Sequence, residues 1–162
     1  MKKTIIILSI FICCMSPLYV GATEKSPNDH RALAGLTTGK AVFDVNITSA
    51  ESMILYLNVV QQTITTLKAQ GVAPDIVITF RGAAVSIVSK DSEFNSDLDE
   101  KTLTERMAAL KKENVHLEAC QVAANLYAVD SKDLLPGIVM VGNTFASLIG
   151  YQSKGYALIP LM

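Results

Sequence analysis

The segment Ile76-Val77-Ile78-Thr79-Phe80, an almost unbroken apolar run between Pro74-Asp75 and Arg81-Gly82, constrains the fold more than any other stretch of this chain. A strand covered on one face alternates apolar and polar residues. A continuous run belongs in a sheet covered on both faces, and such sheets are mostly parallel, with helices as crossovers. The remaining elements follow that plan. Within Lys40 to Ile47, Ala41-Val42-Phe43-Asp44-Val45 has the length and the β-branched and aromatic content of a strand. Thr48 and Glu51 read as a capping box, and Met53, Leu57, Val60, Ile64 and Leu67 recur at helical spacing until Gly71 stops the run.

Ala83 to Lys90 reads as a short helix, with Val85, Ile87 and Val88 fitting neither period cleanly, and Asp91 to Lys101 as a polar connection. A second box, Thr102 with Glu105, opens a helix through Leu103, Met107 and Leu110 that stops near Asn114. Val115 to Ala119 is a short strand, Cys120 to Tyr127 a short helix and Asp130 to Pro136 a turn. Ile138 to Val141 is a second buried-type strand, Asn143 caps a helix over Thr144 to Ser153 closed by Gly155, and Tyr156 to Ile159 is the last strand. Five strands alternating with helices predict a doubly wound α/β domain with a mostly parallel sheet.

The N-terminus stands apart from that pattern. Lys2 and Lys3, the apolar run Ile5 to Met15, Pro17 and the small-residue end Val20-Gly21-Ala22 have the three-part plan of a secretory signal peptide cleaved after Ala22. The run is shorter than the ~20 residues of a membrane span, so no membrane association is expected after cleavage. Phe11 and Ile12 before Cys13 argue against lipidation at Cys13 or Cys14. The expected organisation is a signal peptide over 1–22, an extended arm over 23–39 and one domain over 40–162, exported and most simply placed in a bacterial periplasm.

Removing Lys2 and Lys3 from the 14 basic residues leaves 12 against 15 acidic ones, a net of −3, which is no electrostatic footprint for nucleic acid. No paired CxxC or HxxxH spacing suggests a metal site. The chain has no G-x-G-x-x-G or G-x-x-x-x-G-K-[ST], and the loop Asn46-Ile47-Thr48-Ser49 lacks a phosphate-cradling glycine, so no cofactor is expected. Without G-x-S-x-G, and with only His30 and His116 as bases, a Ser-His-acid hydrolase is set aside.

In an open parallel sheet ligands bind beyond the carboxyl ends of the strands, where the winding reverses. The residues there are Asn46 and Thr48, Arg81 and Gly82, Cys120 and Gln121, and Gly142, Asn143 and Thr144. Cys120, the one cysteine left after cleavage, stands where a strand hands over to a helix, and backbone N–H groups and the helix dipole favour its thiolate. Arg81 is a candidate thiolate partner by position. Gly82 permits a positive-φ turn or a close approach of ligand. His116 lies ~13 Å of extended chain from Cys120, too far for a Cys-His pair, and reads as a surface or edge residue.

The chain resembles the DsrE/DsrF-like family of small α/β sulfur-transfer proteins. The resemblance covers most of the expected domain and is carried by Ile76 to Val85, by Val115-His116-Leu117-Glu118-Ala119-Cys120, by Asp133-Leu134-Leu135-Pro136-Gly137-Ile138 and by Gln152-Ser153-Lys154-Gly155-Tyr156-Ala157, in that order and spacing. It implies a flavodoxin-like topology, assembly into trimers or hexamers, and, in sulfur-relay members, a persulfide-carrying cysteine after a central strand, the position Cys120 matches.

Three functions compete. A sulfur carrier would use an exposed, low-pKa Cys120, with Arg81 as anion partner, Gly82, Asn46, Gln121 and Asn143 around it, and donor and acceptor proteins as partners. A homo-oligomeric binding module would bury Cys120 as a small inert hydrophobe and place function in a pocket between subunits. A thiol redox sensor would cycle Cys120 through sulfenic acid or an intermolecular disulfide.

Overall fold

The computed structural model describes residues 27–162, so the expected signal peptide and the first residues of the expected arm lie outside the described residues. The described part of the arm is not wholly extended: it contains a helical turn, α1 (His30–Leu33), and leads directly into β1 (Thr38–Val45). The chain continues through α2 (Ala50–Ala69), β2 (Ala73–Phe80), α3 (Ala84–Ile87), α4 (Asp97–Lys112), β3 (His116–Cys120), α5 (Gln121–Leu126), a 3-10 turn at Ser131–Asp133, β4 (Val139–Val141), α6 (Thr144–Ser153) and β5 (Ala157–Leu161).

All five strands are parallel, in the order β4-β3-β2-β1-β5. The steps from β1 to β2, β3 and β4 march toward one edge. The last crossover, through α6, returns across the whole sheet to the far side of β1. Right-handed crossovers therefore place α2, α4 and α5 on one face and α6 on the other. The side chains agree. Phe43, Val45, Ile78, Phe80, Leu117 and Ala119 pack with Met53, Leu57, Ile64, Leu103, Met107 and Leu110 in one large buried cluster, while Val42 and Val77 point the other way and meet Leu148, Tyr151 and Tyr156.

Both helix starts differ from the expected capping boxes. The cap of α2 is Ser49, which accepts from Ser52 N–H, one residue beyond Thr48. For α4 the true box is Ser96 with Asp99, and Thr102 lies inside the helix, its hydroxyl donating to Leu98 O. Asp97, Asp99 and Glu100 in the first turn complement the helix dipole, which is why the polar stretch folds as helix. The buried-type strand expected at Ile138 to Val141 is a three-residue edge strand in which Val139 is exposed. Opposite, Asn46 N–H donates to Leu161 O, which turns the backbone groups of Leu158 and Pro160 outward. Pro160 has no N–H to offer there, which suits an unpaired edge.

Candidate functional site

The carboxyl ends of β3 and β4 lead to helices on opposite faces, α5 and α6, so the winding reverses between these two strands. That crevice is where an open α/β sheet places a ligand. Cys120 is the last residue of β3, paired in register with Val141, and it is also the N-cap position of α5. The sulfur therefore sits between the first turns of two helices. Burial pushes the Cys120 thiol up, but the Thr144 hydroxyl and the N–H groups of Thr144, Ala123 and Val122 outweigh it and hold the thiol below its ordinary value. Thr144 itself is 1% exposed, and among the described residues its buried hydroxyl has no hydrogen-bond partner, which leaves it free to answer a thiolate. Cys120 is only 5% exposed, so the low pKa required of a carrier thiol is met and the exposure is not.

Arg81, one strand away, follows β2, and its backbone N–H donates to Val45 O. Its guanidinium is forked onto Asp44, with Nε donating to Oδ1 at 2.7 Å and Nη2 to Oδ2 at 2.9 Å. Asp44 holds the Arg81 pKa above its usual value against the opposing cost of burial, and a Cys120 thiolate adds to this. The guanidinium also lies 5.6 Å from the centre of the Phe145 ring. Arg81 is thus held near the thiol by a carboxylate that already neutralises most of its charge. Its partner Asp44 is buried on the α6 face, and the sequence signal for it was a lone acid on an otherwise apolar strand.

Gly82 has φ +56, which favours glycine, and a Cβ there would displace the Asn46 side-chain oxygen from its present position. Asn46 closes the same corner from the end of β1. Asn143 caps α6, its Oδ1 accepting from Phe145 N–H at 2.9 Å, and so aims the α6 N-terminus at Cys120. Gln121 follows the cysteine but bonds along α5 to Asn125 Oδ1 at 2.8 Å. Cys120, Asn143 and Arg81 thus gather at the crevice, Gly82 and Asn46 shape its β1–β2 side, and Gln121 is a rim residue. Thr144 stood among the residues after strand four, and only the fold gives it a role.

The α6 face carries a polar row that sequence reasoning did not assemble. Glu118 Oε1 accepts from Tyr151 Oη at 2.7 Å and lies 3.2 Å from His116 Nε2. Tyr156 Oη donates to Asp75 Oδ2 at 2.8 Å, and burial together with that carboxylate pushes its pKa up to about 12. His116 is half-exposed, as expected of an edge residue, and pairs with Glu118 rather than with Cys120.

The chain is 26% identical over 164 residues to an uncharacterized protein of Aquifex aeolicus, covering 99% of this chain and 66% of that relative. Its fold is similar to that of a protein of unknown function, MTH1491, from Methanobacterium thermoautotrophicum, with a TM-score of 0.62, 20% identity, and coverage of 76% of this chain and 99% of that one. It is also similar to the ychN protein of E. coli, with a TM-score of 0.54, 14% identity, and coverage of 76% of this chain and all of that one. The model of the DsrE/DsrF-like family matches residues 22–161, every described strand and helix included, and the chain belongs to that family.

Proposed function

We propose that this protein is a sulfur carrier of the DsrE/DsrF-like family, acting through Cys120. The observation that carries the reading is the thiol at the topological switch point, facing the Thr144 hydroxyl and three backbone N–H groups. Such a cradle stabilises a sulfur anion, whether thiolate or persulfide. In the first step the Cys120 thiolate attacks the outer sulfur of a donor persulfide R–S–SH, the donor S–S bond breaks, and R–S⁻ leaves. Cys120 then holds S–SH. In the second step an acceptor thiolate attacks that outer sulfur and Cys120 thiolate is released, so the cycle needs no external oxidant or reductant.

The same reading places the protein outside the cytoplasm, in a periplasm, on the strength of Lys2, Lys3, the Ile5 to Met15 run and Val20-Gly21-Ala22. It also takes the working form as a homo-oligomer, trimer or hexamer. Support comes from Val122 and Leu126 on α5 and Phe145 and Ile149 on α6, large apolar side chains left exposed on either side of the cysteine.

The burial of Cys120 favours a second reading, an oligomeric binding module with a structural thiol. Intact-mass analysis of wild type and Cys120→Ser after exposure to a sulfane-sulfur donor, then to a reductant, separates the two. Whole sulfur atoms gained by the wild type alone, and removed by reductant, are the expected result. A Cys120 left unmodified where a small-molecule thiol reacts would overturn the carrier reading.

A further inference from the structure

The corner between α3, α5 and the 3-10 turn holds a cavity that the sulfur chemistry does not use. Its volume of about 480 Å³ is that of a small-molecule site, and it lies at the far end of α5 from Cys120. Hydrogen bonds fix its walls. Lys90 N–H donates to Asp133 O at 2.7 Å and Leu135 N–H to Val88 O at 2.9 Å, which ties the end of α3 to the 3-10 turn. Asn95 Nδ2 donates to Ile87 O at 2.8 Å and holds the loop before α4. Ser86 and Ser89 line the cavity and are only 6% and 5% exposed. The Ser89 hydroxyl donates to Ser86 O. The Ser86 hydroxyl makes no hydrogen bond among the described residues, and it is not one of the oxygens sealed away from solvent, so it opens on the cavity unanswered.

The rest of the lining selects the charge of the ligand. Asp91, Glu93 and Asp133 bring carboxylates to the opening, and none of them is in an ion pair among the described residues. The basic residue of the lining, Lys90, has its Nζ 3.4 Å from Lys132 O instead. Phe94 and Tyr127 come from different elements and leave half-exposed rings on the same cavity, neither of them covered by a described lysine or arginine. An anion is repelled by this lining. A bare metal ion lacks its ligand set, because no three His, Cys, Asp or Glu side chains converge on a metal position among the described residues. Open aromatic faces beside unpaired carboxylates suit a cation with a carbon body, and the Ser86 oxygen suits one that carries an N–H. We propose that this cavity binds a small organic ammonium, with its charge among Asp91, Glu93 and Asp133, an N–H donated to Ser86 Oγ, and its carbon body against Phe94 and Tyr127.

The test is a titration followed by ligand-observed saturation-transfer NMR on the purified chain, with 2-phenylethylammonium, 2-phenylethanol, 3-phenylpropanoate and methylammonium as probes. The phenylethylammonium should bind. The alcohol and the carboxylate, of similar shape, should be weaker by about tenfold or more for want of the charge, and methylammonium by a similar factor for want of the carbon body. The triple variant Asp91→Asn, Glu93→Gln, Asp133→Asn should bring the ammonium down to the level of the alcohol. The double variant Phe94→Ala, Tyr127→Ala should weaken phenylethylammonium about tenfold and leave methylammonium unchanged; both rings are exposed, so this variant keeps the fold even if the other does not. Cys120→Ser should bind like wild type, which separates this site from the sulfur reading. Absence of phenylethylammonium binding, equal binding of the ammonium and the alcohol, or equal binding of methylammonium would overturn the proposal. So would an affinity unchanged in the double aromatic variant, or one lost in Cys120→Ser.

Discussion

The two faces of the sheet are built on opposite principles. Toward α2 and α4 the strands present Phe43, Val45, Ile78, Phe80 and Leu117 to Leu57, Ile64, Met107 and Leu110, a dry interface of purely apolar side chains. Toward α6 the same strands present Asp44, Thr79 and Glu118, all buried, with apolar contact confined to Val42, Val77, Leu148 and two tyrosines. Burying polar groups stabilises little, because each must recover the hydration it loses. The α2/α4 face therefore supplies most of the folding free energy, and the α6 face holds Cys120, Arg81 and Glu118 in place. Stability and chemistry are divided between the two sides of one sheet.

Phe80→Ala is the strongest way to break that comparison. Phe80 is fully buried on the dry face, and truncation should cost about 3–5 kcal/mol through lost transfer energy and the cavity left behind. Chemical denaturation would measure it. The folded fraction should still react at Cys120 with the wild-type pH profile, because none of Thr144, Ala123 and Val122, which lower its pKa, has been touched. A changed profile would mean that the two faces are not independent.

Asp44→Ala strikes the other face and should cost less, about 2 kcal/mol, between the exposed and the fully buried ion pair. The Arg81 side chain is 19% exposed and can recover part of its hydration. The informative readout is the thiol. With Asp44 gone the guanidinium charge is no longer neutralised beside Cys120, and the pH at which Cys120 is half-alkylated should fall below that of wild type. Arg81→Met should move it the other way. If neither substitution shifts the alkylation profile, Arg81 belongs to the scaffold and not to the site.

The dry face was legible in the sequence because helical and strand periodicity write it directly. Met53, Leu57, Val60 and Ile64 at helical spacing, and the run Ile76 to Phe80, mark it by pattern alone. Local competition moved the boundaries. Thr48 and Thr102 looked like caps, but Ser49 stands one residue closer to the first helical turn, and Ser96 is followed by three acids that start α4 earlier. The polar face was hidden for a different reason. Asp44, Glu118, Thr144 and Tyr151 come from four separate elements, and which of them meet depends on the strand order and on α6 crossing to the second face. Cys120 and Asn143 could be read as ends of elements; that Thr144, the next residue, meets the Cys120 sulfur could not.

The smallest and sharpest effect is expected from Thr144→Val, which keeps the volume and removes one hydroxyl. Since that hydroxyl is buried with no hydrogen-bond partner of its own and is among the groups that lower the Cys120 pKa, the loss should be felt only when the sulfur is charged. The folded thiol has a lowered pKa, so the thiolate contributes stability that is fully present above the unfolded value, about 8.5, and is lost as pH falls through the lower folded value. Wild type should therefore gain stability relative to Cys120→Ser as pH rises through that window. Thr144→Val should show a smaller gain, little or no loss at pH 6, and an alkylation profile moved to higher pH. In a Cys120→Ser background the substitution should be silent at both ends of the range. Equal losses at pH 6 and pH 10 would mean that Thr144 serves α6 and not the cysteine, and the cradle would reduce to the backbone amides of Val122, Ala123 and Thr144 alone.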